Sequence, residues 1–96
     1  MRVRWLRAAL ANLDVAGAYI EKDNPKAANE TVQRIVDAIY RLAENPQLDI
    51  SRAGRVPGTR ELIVERTYLV AYRVRRGELQ VLRVLHAKQR WPDRLP

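Results

Sequence analysis

Cysteine is absent from the 96 residues, which excludes disulfides and thiolate metal sites and gives no sign of export to an oxidising compartment. Serine and histidine occur once each, as Ser51 and His86. A Ser-His-Asp arrangement would have to bring these two together with no flanking nucleophile signature. A single histidine among scattered acids offers no metal-ligand spacing, so neither a metal nor another cofactor is expected. Of four glycines, Gly54 and Gly58 are too sparse, and followed by no lysine, to make a phosphate-cradling loop. The opening MRVRWLRAAL has no apolar run of signal-peptide length, and no stretch is long enough to span a bilayer. A single domain over residues 1–96, in the cytoplasm and away from membranes, is the expectation.

Lysine is scarce too: three stand beside fifteen arginines, against eleven acids, for a net charge of +7. Arginine pairs bidentately with carboxylate and phosphate and stacks on planar groups. Composition therefore points to an anionic partner, either nucleic acid or an acidic protein segment, and does not choose between them.

The chain then divides cleanly. Residues 2–5 read as a short first strand. From Leu6 the apolar positions Leu6, Leu10, Leu13, Gly17 and Ile20 step by fours and threes, the stripe of one helix face. Gly17 on that stripe would let a second helix come close. Asn24 is a good N-cap and Pro25 a good first helical residue, since proline lacks the N–H that would go unpaired there. Ala28, Val32, Ile35, Ile39, Leu42 and Ala43 line the second helix, which Asn45-Pro46 ends. Two amphipathic helices joined by a short turn form a hairpin whose apolar face needs the downstream strands as a partner.

Residues 46–59 read as one long irregular loop carrying Arg52 and Arg55. Three β-rich runs follow, 60–65, 68–75 and 78–85, the last two joined by an Arg76-Gly77 turn. In that register Tyr68, Val70, Tyr72 and Val74 share a face with Leu79, Val81, Arg83 and Leu85. Leu69, Ala71 and Arg73 then share the other with Gln80, Leu82, Val84 and His86. Both faces are mainly apolar, so the last strand should be central. The fold expected is α+β, in the order β-α-α-β-β-β, with the helical hairpin packed on a small, mainly antiparallel, twisted sheet.

The chemistry such a sheet could carry is limited. A metal-free ribonuclease needs a base, an acid and cations against developing phosphorane charge. Arg60, Arg73 and His86, with Tyr68 or Tyr72, are the groups available for it. The competing reading pairs Arg60, Arg73 and Arg83 with Glu61, Glu65 and Glu78 across the sheet. Trp91, beside Arg90 in the tail, is either a lid on the core or an interface anchor.

DNPKAA (23–28), GRVPGTRELIV (54–64), YLVAYRV (68–74) and LRVLHAKQRWP (82–92), in this order and spacing, resemble the RelE/ParE toxins of type II toxin–antitoxin operons. That resemblance implies one of two activities: metal-free cleavage of ribosome-bound mRNA, as in the RelE-like branch, or inhibition of DNA gyrase without nuclease chemistry, as in the ParE-like branch. RelE-like enzymes tend to carry an arginine directly after the tyrosine that opens the strand, where this chain has Leu69. The lysine-rich catalytic cluster and the terminal tyrosine are also missing, so the resemblance is closest to ParE. A histidine near the position of His86 in some related nucleases keeps the mRNA endonuclease as the alternative. A non-toxic basic nucleic-acid-binding domain is a third reading.

On the ParE-like reading the target contacts are expected from Arg52, Arg55, Arg60, Arg73, His86, Arg90 and Trp91. The resemblance also implies a ParD-like antitoxin, with operator DNA bound only through it. Its flexible segment would lie in grooves beside the helices and sheet edge, over Leu10, Leu13, Ile20, Leu69, Leu82 and Val84.

Overall fold

A computed structural model describes residues 1–46 and 51–88. Seven elements follow in order: β1 (Arg2–Trp5), α1 (Arg7–Glu21), α2 (Pro25–Glu44), β2 (Arg52–Ala53), β3 (Arg60–Val64), β4 (Tyr68–Arg75) and β5 (Glu78–His86). The strands form one mixed sheet in the order β1-β5-β4-β3-β2, antiparallel except where β1 lies parallel to β5. This is the α+β arrangement anticipated from the sequence, with β5 in the interior of the sheet. The two-residue edge strand β2 sits inside the stretch expected to be irregular.

Local chemistry accounts for the helix boundaries. The Asn24 side chain accepts from the Ala27 N–H at 3.1 Å, and Pro25 occupies the first turn. At the far end the Arg41 carbonyl accepts from both the backbone N–H and the side-chain amide of Asn45, which caps the last turn. A Cβ on Gly17 would come within 3.4 Å of Val32 Cγ2, so the helices meet there as the bare position suggested.

Both helices cover one face of the sheet. Ala9 and Leu13 of α1, with Ile35, Ile39 and Leu42 of α2, pack on Leu62, Val70, Tyr72, Leu79, Val81 and Val84, all buried. Burying a large aliphatic side chain contributes roughly 1.5–3 kcal/mol, so this layer holds the fold together. Sequence periodicity placed the α1 stripe slightly too far round. Ala9, Leu13, Ala16 and Ile20 face the core, while Leu10 is 49% exposed.

One residue overturns the expected face assignment. Ala71 pairs with Arg83 but Tyr72 pairs with Val81, so Leu82 is an extra residue, a β-bulge in β5. Below the bulge Tyr72/Val81 and Val74/Leu79 share the helix-covered face, as expected. Above it the parity inverts. Val84 and His86 turn to the helix face opposite Val70 and Tyr68, and Arg83 and Leu85 turn to the face away from the helices, opposite Ala71 and Leu69. A single inserted residue exchanges every later side chain between faces.

Candidate functional site

Three clusters carry the polar side chains that the sequence singled out. The first is built on Glu61, whose side chain is only 3% exposed. Its Oε1 accepts from Arg52 Nε and Nη2 at 3.3 and 3.1 Å. Its Oε2 accepts from the Arg55 N–H at 3.0 Å and pairs with Arg55 Nε at 3.3 Å. A buried carboxylate needs this degree of satisfaction, and here it pins the 51–59 segment to the sheet. Both arginine side chains remain about half exposed, at 55% and 50%.

The second cluster joins Ser51, Arg60 and Tyr72. Arg60 Nε donates to Ser51 Oγ at 2.8 Å and its Nη2 to the Ser51 carbonyl at 3.0 Å, while the Tyr72 hydroxyl meets Ser51 Oγ at 2.6 Å. Arg60 thus secures the start of the 51–59 segment.

The third is a groove of about 530 Å³ between α1 and the end of β5, lined by Asn12, Val15, Ala16, Tyr19, Tyr68, Val84, His86 and Lys88. Its floor exists because β1 ends at Trp5, opposite Val81, so α1 takes over as neighbour of the upper half of β5. The Val84 N–H, beyond the reach of β1, donates instead to Asn12 Oδ1 at 2.9 Å. His86 meets Tyr68 edge-on, with ring centroids 5.6 Å apart at 76°, and its Nδ1 accepts from the Lys88 N–H at 3.1 Å. Burial, and secondarily the neighbouring Tyr19, raises the Tyr68 phenol above the ordinary tyrosine value. On the outer wall Val15 and Tyr19 are 69% and 71% exposed.

The expected site residues do not converge. Arg60 pairs with Tyr72 and His86 with Tyr68, four residues apart along β4, or about 13 Å at strand rise. Arg73 lies on the opposite face from His86, where its Nε donates to Gln80 Oε1 at 2.7 Å. Arg52 and Arg55 belong to the Glu61 cluster. Arg90 and Trp91 lie outside the described residues.

The apolar residues expected to meet a partner also separate. Leu10 is half exposed and Ile20 partly buried, but Leu13, Leu69, Leu82 and Val84 are all at least 92% buried within this chain. Leu69 and Leu82 are on the face away from the helices and Val84 on the helix face, where it lines the groove. Sequence reasoning passed over Val15 and Tyr19. Their i, i+4 spacing on α1, off the core stripe, was the available signal. Glu61 was missed as an organiser, because its arginine partners depend on the short β2 pairing. Among the described residues no three His, Asp or Glu gather as a metal site, and no helix is long and apolar enough to cross a membrane.

A helical hairpin on one face of a five-stranded mixed sheet, with a basic strand layer and an open groove along the first helix, defines a small α+β protein built for contact. Residues 3–91 match the model of the ParE toxin of type II toxin–antitoxin systems, parDE, and the chain belongs to that family. It is 46% identical over 93 residues to Y4kP of Sinorhizobium fredii, named as a candidate toxin, covering 96% of this chain and 94% of that one. It is 34% identical over 88 residues to the toxin RelE2 of Caulobacter vibrioides, covering 90% and 94%. Among solved structures, a chain of the chromosomal ParDE toxin–antitoxin system from P. aeruginosa superposes with a TM-score of 0.83 at 31% identity, over 92% of this chain and 97% of that one. The conserved hypothetical protein HP0894 from Helicobacter pylori shares the fold, with a TM-score of 0.57 at 20% identity over 93% and 97%. The chain is therefore a toxin of the RelE/ParE superfamily, most like ParE.

Proposed function

We propose that this toxin acts in the cytoplasm by inhibiting DNA gyrase through protein contact, with no catalysis of its own, and that a cognate ParD-like antitoxin neutralises it. The observation that carries this reading is the dispersal of the nuclease candidates. Arg60 and His86 sit about 13 Å apart along β4, and Arg73 is on the other face of the sheet. Acid–base chemistry on an RNA 2′-OH needs its groups within hydrogen-bond reach of one reacting centre. Leu69, where the nucleases tend to place an arginine, supplies no charge either. What the sheet end and the 51–59 segment do present is half-exposed arginine on a firm support, Arg52 and Arg55 on Glu61.

The groove along α1 suits the antitoxin. It is apolar, open and rimmed by Lys88, and an amphipathic acidic segment that folds on binding would bury its apolar side against Val15 and Tyr19. The ParDE pairing named for the P. aeruginosa structure supports a partner of this kind.

A supercoiling assay with purified gyrase tests the target. Inhibition at micromolar toxin, unchanged by His86→Ala, is the expected result. Toxin-dependent cuts in translated message that disappear in His86→Ala, with gyrase unaffected, would instead establish the mRNA endonuclease.

A further inference from the structure

The net charge is not spread evenly over the fold. The helical hairpin, residues 7–44, holds six acids against five basic residues and is close to neutral. The strands and their turns, residues 1–6 and 51–88, hold eleven basic residues against three acids. Part of that excess stands on the sheet face away from the helices. Val3 and Trp5 of β1 pack towards the core, so Arg2 and Arg4 point the other way. Across the strands the register sets Arg2, Glu78 and Arg75 in one row and Arg4, Gln80 and Arg73 in the next. The rows are about 6.6 Å apart along the strands, and the outer arginines of each stand about 10 Å apart across β5.

Arg2, Arg4 and Arg75 are exposed, and Arg73 is partly so. The residues between them orient the arginines without cancelling them. Gln80 accepts from Arg73 Nε and donates to Glu78, and Glu78 lies 4.0 Å from Arg4, whose side chain is 64% exposed. At that distance and exposure the ion pair is worth little.

We propose that these two arginine rows form a docking surface for the phosphate backbone of duplex DNA, so that the toxin touches DNA directly. Two arginine rows, with Arg2, Arg4 and Arg75 exposed, match sequence-independent phosphate contact. Two features argue for a duplex over other polyanions. Single-stranded nucleic acid is held by stacking on aromatic platforms. Among the described residues none lies on this face: Trp5, Tyr68 and Tyr72 point to the core, and Tyr19 and Tyr40 are on the helices. An acidic protein segment needs apolar anchor pockets. Of the apolar residues on this face, Leu69, Leu82 and Leu85 are at least 96% buried and Ile63, out on β3, is 48% exposed, while the open apolar groove is on the other side, along α1.

The proposal goes beyond the gyrase reading and stands or falls separately from it. It is tested by fluorescence anisotropy of the purified toxin with a labelled duplex of mixed sequence, in the absence of gyrase. Micromolar binding at 50 mM salt is expected, weakening on the order of 100-fold by 200 mM if about four phosphates are neutralised. Arg4→Gln with Arg75→Gln, both at exposed positions, should lower affinity at least 10-fold at low salt and reduce the salt slope by about 2. Arg2→Gln with Arg75→Gln should repeat the loss, with folding of both variants checked by circular dichroism. Arg34→Gln with Arg41→Gln removes the same charge from α2 and should leave affinity within about 3-fold. No binding at low salt, or an equal loss in the α2 variant, would overturn the proposal. Tighter binding of a single-stranded RNA of equal length, or competition by polyglutamate below the duplex concentration, would give the face to another partner and overturn it as well.

Discussion

The Glu61 carboxylate holds Arg52 on one oxygen and Arg55 on the other, and through them the whole 51–59 segment. Replacing it by glutamine keeps the shape but weakens charge-assisted bonds to polar ones, a loss of about 1–2 kcal/mol. Urea unfolding of Glu61→Gln should show that loss, and trypsin should cut after Arg52 and Arg55 faster than in the parent. Tyr68 gives a second test at this scale. Its phenol is raised above 10 by burial and then by Tyr19, so the folded state holds its proton where the unfolded chain has released it. The corresponding stability is fully present below pH 10 and is lost as pH climbs through the folded value. Absorbance titration should show a tyrosine phase above the ordinary value that is absent from Tyr68→Phe. The Asn24-Pro25 cap was legible in the sequence because capping is settled within four residues. The ties of Glu61 and Arg60 were not, because their partners are nine residues away and depend on how the 51–59 segment folds back.

Among the elements, α1 and β5 decide what the molecule presents. The bulge at Leu82 turns Val84 and His86 into the groove and leaves Arg83 outside. The buried positions on the core face run 79, 81, then 84, a break in the alternation that the structure shows. The apolar doublet Val81-Leu82 hid it, because either parity leaves apolar residues on both faces. The same ambiguity merged Leu69, Leu82 and Val84 into one expected surface. On α1 the core stripe was readable from period alone, but the outer positions Val15 and Tyr19 have function only against the groove that β5 completes. Val15→Asp and Tyr19→Glu, at 69% and 71% exposed sites, should change folding stability by less than about 0.5 kcal/mol. Binding to the cognate antitoxin, measured by calorimetry, should fall at least 10-fold, or about 1.4 kcal/mol. In cells these variants should still arrest growth but should no longer be rescued by the antitoxin.

Over the whole molecule, the helices supply a nearly neutral outer layer and the strands carry the positive charge. Element order and the α+β class could be read from sequence, since each element has its own period and punctuation. The separation of charge between the two layers required the strand order. It sets the α1 groove and the arginine face on opposite sides of the sheet, so occupying one leaves the other open.

The pairing of β1 with β5 has a consequence for how the toxin is made. Arg2 finds its partner at Glu78 and Trp5 at Val81, so the first strand has no neighbour until residues 78–81 are made. During synthesis the helical hairpin emerges long before the strands that cover its apolar face, and the interior strand comes last. A chain interrupted before residue 78 has neither the groove floor nor a neighbour for β1. Synthesis of residues 78–86 is therefore the step that lets the sheet close on both of its sides.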